Sequence, residues 1–215
     1  MTAPSQDPLE ALSALVRAHG DAVPLDRALV EVARVDRPAL ERRFVFEELD
    51  RLAERVRAAG IEPSNGGLEA LRQVLFDEEG FRGNREGYYE PENSFLDRVL
   101  ERRRGIPISL AAVWLEVARR LGLEAAGVGF PGHFLVRHRT GSVWRYVDAF
   151  DRGRILELED VRDLLRSVHG RGAELDPSML APVSARSILV RFAHNLKNAY
   201  ALQKDRLGIV ASIGR

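Results

Sequence analysis

The chain contains no cysteine. That single absence removes disulfides, thiolate metal sites, iron–sulfur ligation and any thiol nucleophile. Lysine is nearly missing too: Lys197 and Lys204 are the only two among 32 basic residues, and the others are arginine. Neither sign of charge prevails, because 32 Lys and Arg stand against 32 Asp and Glu. Binding to nucleic acid or to an anionic membrane surface draws on a summed positive field, so neither partner is expected. No stretch reaches the roughly 18 apolar residues of a membrane-spanning helix. The opening residues, Met1 to Pro8, carry neither a basic nor an apolar segment of the secretory kind. A cytoplasmic protein is therefore expected. Phosphate-cradling glycine motifs are absent, and His133 and His138, five apart on one strand, face opposite ways. No metal and no cofactor is expected.

What is present is an ordinary globular composition of 215 residues, 45% apolar and 30% charged, enough to bury a core. Helical periodicity dominates the first hundred residues, with amphipathic segments over 9–18, 25–34, 36–60 and 67–78. Asp36-Arg37-Pro38 reads as the cap and first turn of the third, and Ser94-Phe95-Leu96-Asp97 as a capping box opening a further helix through 104. The segment 109–121 is apolar almost all round and should be a buried central helix. The period then changes to two, predicting strands over 125–130, 133–139 and 142–149, followed by helices over 158–168 and 185–204. This is an α+β pattern, a helical block followed by a small antiparallel sheet packed on a buried helix. It divides into an N-terminal helical part (1–60), a core (61–170) and a C-terminal helix (183–215).

The Thr140-Gly141 turn gives the candidate chemistry. A two-residue loop there pairs Arg139 with Ser142, Arg137 with Trp144, Leu135 with Tyr146 and His133 with Asp148. Directly opposed side chains lie about 5 Å apart, which brings imidazole and carboxylate within reach. Ser109, at the start of the buried helix, could complete a nucleophile–base–orienter set with His133 and Asp148. The plainer readings are a Ser109 that only caps its helix and a His133–Asp148 pair that is only structural. The loop 81–93 precedes this helix and should wall a cleft. Its Asn84, Tyr88 and Asn93 are expected to line that cleft or to bond the segment leading to Ser109.

Several short blocks, Gly83-Asn84, Pro91, Asn93-Ser94, Gly105-Ile106-Pro107-Ile108-Ser109-Leu110, Pro131-Gly132-His133-Phe134 and Val147-Asp148-Ala149-Phe150, together resemble the SirB-type transglutaminase-like proteins. The resemblance spans residues 25–165 and implies a divergent transglutaminase or papain-like core. It also implies that Ser109, His133 and Asp148 occupy the Cys, His and Asp positions of that superfamily's triad. Residues 188–205 resemble the first helix of a tetratricopeptide-type extension. With no cysteine, the leading expectation is a non-catalytic binding or regulatory module for a polypeptide or a small acyl or amide ligand, with a protein or peptide as partner. The alternative is a serine-nucleophile hydrolase or acyltransferase using Ser109, His133 and Asp148.

Overall fold

Apolar residues at helical spacing through the first half make four helices: α1 (Pro8–His19), α2 (Leu25–Asp36), α3 (Arg42–Ala58) and α4 (Leu68–Arg72), the last continuing as a π-helical turn over Gln73–Glu78. The computed structural model describes residues 7–61 and 66–213, with side chains through residue 204. A short parallel pair, β1 (Arg82–Gly83) and β2 (Arg104–Gly105), brackets α5 (Leu96–Arg102). Next come the central helix α6 (Pro107–Arg120) and an antiparallel meander of β3 (Ala125–Val128), β4 (Leu135–Thr140), β5 (Val143–Asp148) and β6 (Arg154–Leu156). Helices α7 (Leu158–His169) and α8 (Ala185–Ile213) close the chain. The mixed helix and sheet architecture is the α+β class that the change of period indicated.

The fully buried Trp114 and its neighbours on α6 form the middle of the core. Side chains of α2, α3, β4, β5 and α8 pack into the same cluster. Phe134, Val136 and Val147 of the sheet face this cluster. The opposite face of the sheet carries Val128, Leu135 and Leu156, which α7 covers with Val161 and Leu165. Both sheet faces are thus dry, and each fully buried Leu or Val contributes about 1.5–3 kcal/mol relative to exposure.

Four local expectations are corrected. Asp36 ends α2 instead of capping α3, which begins at Arg42. Ser94 lies in a 3-10 turn and forms no capping box; the Asp97 carboxylate instead takes two hydrogen bonds from Arg37, at 2.7 and 3.1 Å. Residues 154–156, which carry no alternation long enough to be noticed, pair with β5 as a fourth strand. The hairpin register is displaced by two residues, with Thr140 opposite Val143 and Arg139 opposite Trp144. The turn is therefore Gly141-Ser142, with φ +56° at Gly141. A tight hairpin needs positive φ at its first central position, which glycine accepts and β-branched Thr140 does not. Val143, beside the turn, is 55% exposed at the hairpin tip.

Candidate functional site

Because the register moved by two, parity survived, and every side chain kept its face. His133 stands before the first residue of β4, in the turn after Phe130, whose carbonyl accepts the His133 backbone N–H at 3.1 Å. Asp148 ends β5. The two meet just past the end of the ladder, with Nε2 of His133 2.9 Å from Oδ1 of Asp148. The contact is short, yet the ring N–H is not aligned on the carboxylate as a hydrogen bond requires. The same Oδ1 accepts the backbone N–H of Phe150 at 2.9 Å and of Asp151 at 3.2 Å. Asp148 thereby also shapes the turn that carries Phe150, whose ring lies edge-on to His133 at 6.1 Å.

Ser109 is the third residue of α6 and is fully buried. Its hydroxyl accepts the Ile106 backbone N–H at 3.0 Å and donates to the Ile106 carbonyl at 3.1 Å. Among the described residues its side chain bonds the backbone groups of Ile106 alone, as in a helix-start cap. Gly105 is what lets it sit there, since a Cβ at that position would lie 2.5 Å from the hydroxyl. The α6 residues that reach the His133 side are Pro107 and Ile108. With Tyr88, Gly132, His133 and Arg191 they line a cavity of about 30 Å³, room for little more than a water molecule. Sequence reasoning missed Ile108, because one position along a helix turns a side chain by about 100° and only the packing decides which faces the sheet.

Arg191 of α8 covers this cavity, donating to the His133 carbonyl at 2.7 Å, and its guanidinium lies 5.4 Å from the centre of the Phe134 ring. Burial lowers the Arg191 pKa, and burial likewise raises that of Tyr88. Of the three loop residues, Tyr88 lines the cleft. The Asn84 and Asn93 side chains serve their own loop: Asn93 Nδ2 donates to the Gly87 and Tyr88 carbonyls at 2.6 and 3.1 Å, and Asn84 Nδ2 donates to Asn93 Oδ1 at 3.0 Å. The link from this loop to the Ser109 segment is a backbone one, from Asn84 N–H to the Gly105 carbonyl at 2.9 Å. A hollow of about 1020 Å³ lies away from this site between α2, α6 and β3. Its buried acids Asp26 and Glu116 are paired with Arg119 and Arg120. Among the described residues no group of acids and histidines has metal-ligating geometry.

A buried helix whose start faces a His–Asp pair on adjoining strands is the arrangement that the sequence blocks suggested. A family profile described as the transglutaminase-like superfamily matches residues 43–194. The chain belongs to that superfamily. Among its relatives are proteins named UPF0162. The one from Xylella fastidiosa strain Temecula1 is 38% identical over 87% of this chain and 68% of its own length. That of Vibrio cholerae is 30% identical over 86% and 69%. F-box only protein 21 of Mus musculus is 34% identical over 66% of this chain, but only 24% of that protein is covered. No solved structure matches the chain.

Proposed function

We propose that this transglutaminase-like protein, of SirB type, is a non-catalytic module whose cleft recognises a polypeptide segment or a small acyl or amide group. The observation that carries the reading is that Ile108, and not Ser109, lines the cavity beside His133. Acyl transfer needs a nucleophile whose proton the imidazole can take. The residues that the start of α6 contributes to the cavity, Pro107 and Ile108, carry no nucleophile, and the hydroxyl of Ser109 is bonded to Ile106. Tyr88, His133 and Asp148 then act in recognition, the tyrosine and imidazole as surfaces and donors and the carboxylate as the group that orients the ring. Asn84 and Asn93 hold the loop that presents Tyr88.

Labelling with a broad serine-reactive fluorophosphonate tests this directly, using the whole chain beside Ser109→Ala and His133→Ala. No labelling above that of the two variants is expected. Labelling of Ser109 that His133→Ala abolishes would overturn the reading in favour of a serine enzyme. A peptide array probed with the same proteins supplies the positive arm, where spots bound by the wild type should weaken at least tenfold with His133→Ala.

A further inference from the structure

Another hollow, of about 280 Å³, has Phe150, Arg82, Arg85, Arg104 and Arg152 in its wall. We propose that it is a binding pocket for a phosphate monoester, on a small molecule or on a phosphorylated side chain. Arg82 and Arg104 are register partners across the parallel pair β1 and β2, so their side chains leave the same face of adjacent strands. Arg152 arrives from the β5–β6 turn with φ +53°, one of two non-glycine residues with positive φ among those described. Such a conformation is uncommon outside glycine, asparagine and aspartate, and it persists where surrounding structure imposes it.

Many arginines of this chain are tied to an acid, as in the Glu48 and Glu79 cluster on Arg51, Arg55 and Arg103. Here Arg85 pairs with Asp151 at 3.2 Å, but Arg82, Arg104 and Arg152 have no carboxylate partner among the described residues. With Glu86 also in the wall, four positive groups face two negative ones, leaving a net charge of two positive. A phosphate monoester near neutral pH carries a charge of about −1.5 to −2, and planar guanidinium forks suit its oxygens. A carboxylate, with one charge and two oxygens, would satisfy fewer of these donors. Gly83 lets Phe150 pack against β1 to form part of the wall, since a Cβ there would lie 2.6 Å from the Phe150 ring.

The test is an amide NMR titration of the whole chain in phosphate- and sulfate-free buffer of low ionic strength. Three probes are compared: inorganic phosphate, N-acetyl-O-phosphoserine N-methylamide and N-acetyl-aspartate N-methylamide. Saturable shifts confined to residues 82–86, 104 and 150–152 are expected with the phosphates, at least tenfold tighter than with the aspartate derivative. Arg82→Gln/Arg104→Gln should weaken them at least tenfold while keeping the native spectrum, whereas the control Arg171→Gln should not. If inorganic phosphate binds as tightly as the phosphoserine derivative, the pocket reads the free group; tighter binding of the derivative supports a phosphorylated side chain. Absence of saturation, shifts centred elsewhere, equal affinity for the aspartate derivative, or unchanged affinity in a folded double variant would overturn the proposal. Should the double variant fail to fold, Arg152→Gln alone carries the same comparison.

Discussion

At the scale of single residues, the positions 108 and 109 hold the question of what the α6 N-terminus can do. Ser109→Ala removes a hydroxyl that satisfies both polar groups of Ile106 in a fully buried setting. The expected loss is about 2 kcal/mol of unfolding free energy, because the buried Ile106 N–H would be left unpaired, while the Ile106 carbonyl still accepts from the Ser109 and Leu110 N–H groups. Urea unfolding measures it. Cysteine substitutions separate the two neighbours by reactivity, since the native chain contributes no thiol of its own. Ile108→Cys should react with iodoacetamide faster than Ser109→Cys in the folded state. It should also titrate below the usual value of about 8.5, because it stands beside an imidazole at a helix start. The reverse order would mean that Ser109, not Ile108, faces His133.

At the scale of elements, the joint between α3, the π-helical turn after α4 and the α5–β2 corner is electrostatic. Glu79, its side chain only 6% exposed, accepts from Arg51 at 2.8 and 2.9 Å and from Arg103 at 2.8 Å, with Arg55 also bonded to it. Hydrogen bonds from Arg51, reinforced by the positive charges of Arg103, Arg51 and Arg55, bring its pKa down to about 2. A carboxylate held lower when folded than when unfolded adds stability above about 4.5. That contribution disappears as the pH falls from there through about 2. Glu79→Gln should therefore cost roughly 2 kcal/mol at pH 7, the order of a charged hydrogen bond lost, and the gap from wild type should narrow in acid unfolding curves. The elements themselves were largely legible in the sequence, since α6 is apolar all round and the period changes after it. The failures share a cause. Asp36 and Asp97 are both good cap residues by type, but distant partners, Tyr200 for Asp36 and Arg37 for Asp97, take up their carboxylates instead. The His133–Asp148 pair was legible through parity alone, because a register error of two preserves faces. The orientation of Ser109 and the cavity-lining Ile108 depend on packing of α6 against the sheet, which no local pattern records.

For the molecule as a whole, His138 couples the sheet to the core and makes stability depend on pH. It is fully buried, accepts from Trp114 Nε1 through Nδ1 at 3.3 Å, and places Nε2 2.9 Å from the Gly66 carbonyl. That pair of partners demands the neutral ring with its proton on Nε2, because a proton on Nδ1 would face the indole N–H. Burial lowers its pKa, outweighing the bond to Gly66, which raises it. The unfolded chain therefore binds this proton first as pH drops below about 6.5, so stability falls in that direction. Melting temperatures between pH 7 and 5 should decline for the wild type, with a flatter slope for His138→Gln. An equal slope in both would assign the dependence to the other histidines.

Both lysines of the chain lie on α8, the helix whose Arg191 closes the His133 cavity, and both are exposed. Acylation of lysine side chains therefore decorates that cover. A dye attached through Lys197 becomes a reporter of whether the cover stays seated when a ligand arrives.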